Sequence, residues 1–501
     1  TGALGVLDPV QRVRTALNRN RPDDAVEMLQ RAVSDQQAPF DETLQLIGAL
    51  GNDLVPFTTR GFIPGLSERE QLDPQGVEAI LESGRLGDEK QRIAIALWSS
   101  VRDETSEFLD QLLAEDPSRR YVRFALGVYY ETKGSIAQAA AAFEAEGEHR
   151  DGAAARSRAV KLYVAADDST ALKRLSGNPL YRGLIPPRAL LSIAEHDRDW
   201  LTYWWTIPLF IWEQWRLGPV LLAGFAGLCW GAFAFQAGQV YDEPGARWWL
   251  CLAAIVAGAL SVWPTLMFIV LQESYMGLED SIEPVRGIIY NIFGIGLREE
   301  FAKLLLFLPL AAFIARRRNQ LEALVVGSLV GLGFAAEENI GYFQMGAMVA
   351  VGRYLMANFF HMAATGLVAL AFMRAVWEPR RDANMAVAMF ALVVTAHGLY
   401  DAAITLPFFG DFGQLVNGAV FVLLAVQYFR ELRSVRTWRS ETISLPANFL
   451  CGVSLVTAVA LVYTCASLGP ALGFRIFIPP ALAISILCYV FLKEMPGSLV
   501  S

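Results

Sequence analysis

The distribution of apolar residues divides the chain into a mixed N-terminal part and a strongly apolar remainder. Residues 201–501 contain nine apolar runs, and each is long enough to cross about 30 Å of hydrocarbon as an α-helix of about 20 residues. The runs lie near 218–237, 248–271, 286–315, 321–345, 354–376, 384–406, 413–430, 447–468 and 474–492. The pattern predicts an all-α, polytopic membrane helix bundle of about nine spans.

Residues 1–200 show a different pattern, of short amphipathic helices separated by polar turns. Two stretches resemble tetratricopeptide repeats, in which small residues let one helix lie close against the next. These stretches are Leu126-Gly127-x-x-Tyr130 followed by Ala139 and Phe143, and Pro22-Asp23-Asp24 followed by Ala25, Leu29 and Ala32. The prediction is a soluble, tetratricopeptide-like helical-repeat domain, which either docks a protein partner or only adds solubility.

Charge follows the same division. Residues 1–200 hold 24 Lys and Arg against 31 Asp and Glu, whereas the whole chain holds 42 against 50, with 54% hydrophobic residues. An acidic balance without a dense basic tract argues against a nucleic-acid partner. Basic clusters at 316–318, 374–381 and 430–439 are predicted to be cytoplasmic by the positive-inside rule. The side of the membrane that holds residues 1–200 stays open.

Four consecutive predicted spans carry ionisable groups far from their ends. Each charge at bilayer depth costs about 2.5–3.5 kcal/mol, so several together must face one another or a wet cavity. The third span holds Glu299, Glu300 and Lys303, the fourth holds Glu337 and Glu338 followed by Asn339, the fifth holds His361, and the sixth holds His397 and Asp401. This cluster is the candidate functional site.

The spacing and the residue types indicate hydrolytic chemistry. His397 and Asp401 are four residues apart, as are Glu299 and Lys303, so each pair projects from one helix face. Imidazoles with carboxylates are the ligands of a catalytic zinc, beside which a further carboxylate can act as general base. Without a metal, a desolvated carboxylate crowded by a second one can itself activate water. Both designs stay open at this point.

The ordered set of motifs resembles the PrsW family of intramembrane proteases. The motifs are Glu299-Glu300-x-x-Lys303, Phe334-x-x-x-Glu338-Asn339, His361 and His397-x-x-x-Asp401, within about 285–405. That family looks related to the type II CAAX prenyl protease and bacteriocin-processing superfamily, whose pattern is E-E-x-x-x-R, F-x-x-x-H and H-x-x-x-N. Lys303, Glu338 and Asp401 depart from that pattern and fit PrsW.

The resemblance implies a multi-pass protease of the plasma (inner) membrane that cleaves single-span membrane proteins such as anti-sigma factors. It further implies that Glu299 activates water with Glu300 in support, that Lys303 orients both carboxylates, and that Asn339 donates to a developing oxyanion. The implied ligands of a divalent ion, Zn²⁺ in the first place, are Glu338, His361, His397 and Asp401. Metal-free glutamate chemistry is the open alternative.

These expectations give four regions: a repeat-like domain at 1–200, an aromatic junction with the first two spans at 201–284, a catalytic core at 285–406, and C-terminal spans at 407–501. A proton-coupled transporter and a catalytically silent scaffold of the same superfamily are the rival functions, since transporters also place such groups in mid-membrane. Arg298 and Arg353 are expected to be interfacial anchors. Gly327, Gly331 and Gly341 are expected to bring neighbouring helices close.

Overall fold

The computed structural model describes residues 9–18, 21–35, 38–51, 72–242, 245–410, 412–437 and 443–495. Within these ranges the secondary structure is helical and no strand occurs, which confirms the predicted all-α class. The chain forms two compact units, Thr1–Asp199 and Trp200–Ser501.

The first unit is built from short amphipathic helices around its own apolar core. Gly127 and Phe143 show how neighbouring helices approach there, because a Cβ at position 127 would lie 2.8 Å from the Phe143 ring. The small residue therefore makes room for the aromatic one, as the repeat pattern predicts. The tetratricopeptide assignment itself stays a prediction. The helices are α1 (Pro9–Asn18), α2 (Pro22–Ser34), α3 (Phe40–Gly51), α4 (Pro74–Leu81), α5 (Asp88–Arg102), α6 (Glu107–Glu115), α7 (Val122–Thr132), α8 (Ile136–Gly147), α9 (Ala153–Ala165), α10 (Ser169–Ser176) and α11 (Pro187–His196).

The second unit contains the long apolar helices. They are α12 (Trp200–Glu213), α13 (Leu217–Ala237), α14 (Trp248–Leu260), α15 (Val262–Met276), α16 (Pro284–Ile289), α17 (Leu297–Arg317), α18 (Gln320–Gln344), α19 (Ala347–Trp377), α20 (Pro379–Thr405), α21 (Phe412–Val435), α22 (Leu445–Leu468) and α23 (Pro470–Glu494). A π-helix, Tyr290–Gly296, joins α16 to α17 without a break. Helices α14 and α15 likewise run together as one 29-residue helix.

Eight helices among the described residues are long and apolar enough to cross a membrane. They correspond to eight of the nine predicted spans. The remaining one, predicted near 286–315, is helical through the π-helix and α17, but its charged residues keep it outside that set. The chain is therefore a multi-pass membrane protein by its helices, and the count of nine stays a prediction.

Helices α18 and α19 form the centre of the second unit, and glycines bring them together. A Cβ at Gly331 would lie 2.1 Å from the carbonyl oxygen of His361, and one at Gly327 would lie 2.2 Å from the Cβ of Ala369. The predicted close approach is thus confirmed at both glycines. Gly341 makes no such close backbone contact, because a Cβ there would lie 3.1 Å from the side-chain oxygen of Gln214.

A second glycine contact places α20 against the π-helix. A Cβ at Gly398 would lie 2.4 Å from the Cα of Ile292, and one at Gly296 would lie 2.5 Å from the carbonyl oxygen of Val394. The two backbones therefore touch with no side chain between them. Short π-helical segments are often found at functional sites. This crossing lies next to His397 on α20 and three residues before Glu299 on α17.

Candidate active site

The first turns of α17 bring two carboxylates and an ammonium group into the protein interior. Glu299, Glu300 and Lys303 are all buried. The Lys303 Nζ lies 2.8 Å from Glu300 Oε1 and 3.5 Å from Glu299 Oε2. It also lies 3.9 Å from the centre of the Phe334 ring, a favourable cation–π position. Lys303 thus contacts both carboxylates that it was predicted to orient.

Helix α20 contributes His397 and Asp401 to the same place. The Nε2 atom of His397 lies 3.3 Å from Asp401 Oδ2 and 3.5 Å from Glu299 Oε2. Its Nδ1 atom lies 2.9 Å from Glu300 Oε1. Each nitrogen of this buried imidazole therefore faces a carboxylate. Nε2 faces Glu299 and Asp401, and Nδ1 faces Glu300 on the opposite side of the ring.

Helices α18 and α19 contribute Glu338 and His361. The Nε2 atom of His361 lies 3.1 Å from Glu338 Oε2, and its Nδ1 atom lies 2.9 Å from the Lys303 Nζ. An ammonium group only donates, so Nδ1 accepts this hydrogen bond and Nε2–H donates to Glu338. The centres of the His361 and His397 rings are 5.1 Å apart. One turn after His361, Thr365 donates to Glu300 Oε2 over 3.4 Å.

Arg353 is a member of the cluster that the sequence did not predict. Its Nη2 atom lies 2.6 Å from Glu338 Oε1, and its Nη1 atom lies 3.6 Å from Asp401 Oδ1. The expectation of an interfacial anchor is wrong, because the side chain is only 12% exposed and pairs with these two carboxylates. The available signal was its spacing of eight residues from His361, which places both on one broad face of α19.

Arg298 also lies inside the protein rather than at an interface. Its side chain is buried and its guanidinium carbon is 5.6 Å from the centre of the Tyr290 ring. The expectation of an interfacial anchor is therefore wrong here as well. Arg298 makes none of the ion pairs that join the cluster, although it precedes Glu299 directly.

Two residues next to Glu338 turn away from the imidazoles. Asn339 is buried and donates to the side-chain oxygen of Asn358 over 3.3 Å. The amide nitrogen carries a second N–H, which the predicted donation to an oxyanion would use, and the role stays a prediction. Glu337 accepts a hydrogen bond of 2.9 Å from the indole of Trp215. Glu337 therefore faces Trp215 and not the imidazoles.

The donor set suits a divalent cation. Ligand atoms of Glu299, His361 and His397 all lie within 4.8 Å of one another, and Glu299 Oε2 has no hydrogen-bond partner. The imidazole–carboxylate separations given above are close to the value of about 3.4 Å that separates two ligands of a tetrahedral zinc. His397 also has the carboxylate support on its second nitrogen that metal-bound histidines usually have. His361 would first have to exchange its bonds with Lys303 and Glu338.

The charges of the cluster lead to the same conclusion. Its four carboxylates, Glu299, Glu300, Glu338 and Asp401, face only two permanent cations, Lys303 and Arg353. Burying unbalanced charge is expensive. With all four carboxylates ionised, two negative charges stay unbalanced among these groups, and one divalent ion would neutralise both.

The fold and the cluster define an α-helical multi-pass membrane protein with a buried carboxylate–imidazole centre. Residues 246–428 match the model of the PrsW family intramembrane metalloproteases. The resemblance inferred from four motifs is thereby confirmed, and the match extends beyond 285–405 to include α14, α15 and part of α21. It supports a metal-dependent peptidase that acts on substrates within the bilayer. No curated protein and no solved structure matches the chain.

Proposed function

We propose that the protein is a plasma-membrane protease that hydrolyses peptide bonds in single-span membrane proteins, anti-sigma-factor-like proteins being one class of substrate. The observation that carries the proposal is the convergence of Glu299, His361 and His397 from three helices, all buried and with ligand atoms within 4.8 Å of one another. Residues 1–200 are proposed to bind a protein partner or the exposed part of a substrate.

In this proposal His361, His397, Glu338 and Asp401 hold a divalent ion, Zn²⁺ in the first place. When bound, such an ion supplies a Lewis acid that polarises the scissile carbonyl and activates water. Glu299 accepts a proton from the attacking water as the oxygen bonds to the carbonyl carbon. It then returns the proton to the leaving nitrogen as the C–N bond breaks. Glu299 suits this role because its Oε2 atom has no hydrogen-bond partner.

The neighbouring groups support Glu299 in this role. Glu300 is assigned the supporting role, because its oxygens already contact Lys303, His397 and Thr365. Glu300 instead fixes the His397 ring, and Lys303 limits the negative charge between the two carboxylates. Phe334 covers the ammonium group from one side and excludes water there.

A second assignment of Glu299 has its own support. Two histidines and one glutamate are a known ligand set of catalytic zinc, and Glu299, His361 and His397 form the compact group in the described part of the chain. Glu299 would then be a ligand, and Glu338, which contacts His361, would be a candidate for the base.

The test uses purified full-length protein in proteoliposomes with a single-span substrate, and measures both cleavage and bound zinc. We expect Glu299→Gln and His397→Ala to abolish cleavage while remaining folded, and His397→Ala to lose the metal. Glu299→Gln keeps the metal if Glu299 is the base and loses it if Glu299 is a ligand. Glu337→Gln is the matched control, because Glu337 adjoins Glu338 but contacts Trp215.

Cleavage at the wild-type rate by both variants would end the assignment of a protease centre to these residues. Cleavage by metal-free protein would favour chemistry by glutamate alone. Proton-coupled uptake of a solute without cleavage would favour a transporter, and a folded protein with neither activity would favour the silent scaffold.

A further inference from the structure

Arg353 contacts two carboxylates that come from different helices. Glu338 lies on α18 and Asp401 on α20, whereas Arg353 lies on α19 between them. Each carboxylate turns one oxygen toward the guanidinium group and the other toward an imidazole. For Glu338, Oε1 faces Arg353 and Oε2 faces His361; for Asp401, Oδ1 faces Arg353 and Oδ2 faces His397.

The guanidinium group is itself held in place. Its carbon lies 4.0 Å from the centre of the Tyr342 ring, and the Arg353 side chain is only 12% exposed. Stacking on an aromatic ring fixes the plane of the guanidinium, and its fork of N–H groups can reach two acceptors at once. A lysine ammonium at this position is a point charge without that fork.

We propose that Arg353 is a positioning residue, which orients Glu338 and Asp401 so that one oxygen of each points at His361 and His397. Its ion pairs are with the two carboxylates, and it acts on the imidazoles through them. The inference rests on the proposed function in one respect, because Glu338 and Asp401 are metal ligands only in that proposal. Removing such a supporting group usually lowers metal affinity by about 10- to 100-fold.

The matched control lies on the same helix. Arg374 pairs with Glu431 at 3.0 Å, so it is also an arginine of α19 in an ion pair. It is 21 residues from Arg353, or about 30 Å along a helix. Arg353→Gln and Arg374→Gln therefore remove the same group from the same helix, once beside the cluster and once far from it.

Two measurements on full-length protein test the inference. The first is the Zn²⁺ dissociation constant, measured by competition with a chelator. We expect it to rise about 10- to 100-fold in Arg353→Gln, less in Arg353→Lys, and not at all in Arg374→Gln. The second is the ¹⁵N spectrum of the imidazoles in metal-free protein at one pH. The chain has four histidines, and we expect Arg353→Gln to move only the resonances of His361 and His397.

Wild-type zinc affinity together with unmoved imidazole resonances in Arg353→Gln would overturn the inference. If wild-type protein bound no zinc, the metal part of the proposed function would fail, while the metal-free spectra would still decide the role of Arg353. If Arg353→Gln did not fold, the same two measurements on Arg353→Lys would decide it, because that variant keeps the charge and loses the fork.

Discussion

The crossing of α20 and the π-helix gives the sharpest prediction, the effect of Gly398→Ala. A Cβ at this position would lie 2.4 Å from the Cα of Ile292 and 2.6 Å from the carbonyl oxygen of Asn291. Both are backbone atoms, which cannot rotate away as a side chain could. The helices must therefore separate.

The size of the separation follows from ordinary contact distances. Carbon atoms pack at about 3.5–4.0 Å, so α20 has to move by about 1 Å. Overpacking of this kind costs about 1–3 kcal/mol of stability. His397 is the adjacent residue and moves with the helix, which stretches its 2.9 Å contact with Glu300 beyond hydrogen-bonding range. A misplacement of about 1 Å can cost about 100-fold in rate.

The assay is the rate of substrate cleavage in proteoliposomes, combined with thermal unfolding in detergent. We expect Gly398→Ala to remain folded and to cleave about 100-fold more slowly than wild-type protein. Gly418→Ala on α21 is the control, because a Cβ there meets nothing within 4 Å. Cleavage by Gly398→Ala at the rate of Gly418→Ala would refute the argument that backbone contact at the π-helix sets the position of His397.

Two further predictions concern charge. Lys303→Met leaves Glu300 buried without its ammonium partner and should lower the free energy of unfolding by about 3–5 kcal/mol. Adding Glu300→Gln to the same chain should restore part of that loss. Equal stability of wild type and Lys303→Met would contradict this prediction. In the first unit, the hydrogen bond from Arg174 lowers the pKa of Glu144 below its usual 4.5. The folded state therefore favours the carboxylate, so this contribution to stability is present above about pH 4.5 and is lost as the pH falls through the lowered pKa. Unfolding of that unit in the full chain should depend less on pH below 4.5 in Glu144→Gln than in wild type, and identical profiles would count against the Arg174 pair.

Contacts within one helix could be predicted from the sequence. His397 with Asp401 and Glu299 with Lys303 are four residues apart, and the structure gives separations of 3.3 Å and 3.5 Å for these pairs. Helical periodicity alone requires that closeness. The accumulation of charge in four successive apolar segments also predicted a common centre, since isolated charges are not tolerated there.

Contacts between helices could not be predicted in the same way. The pairing of Arg353 with Glu338 depends on the register of α19 against α18, which close glycine contacts determine. The apolar run begins near 354 and so places Arg353 at its edge, whereas the helix begins at Ala347. The π-helix could not be predicted because its seven residues are almost all apolar, so the shift in periodicity from its wider turns cannot be read from the sequence.

The burial of α18 and α19 has a consequence for how the protein is made. In their most apolar stretches, 89% and 94% of the residues are covered by protein rather than by lipid. Entering the bilayer alone, this hairpin would expose Glu338, Arg353 and His361 to hydrocarbon. Helices α13, α14 and α17, which pack against it, are synthesised earlier. We expect α13, α14 and α17 to enter the membrane before the α18–α19 hairpin. Helix α20, which carries His397 and Asp401, then completes the buried cluster.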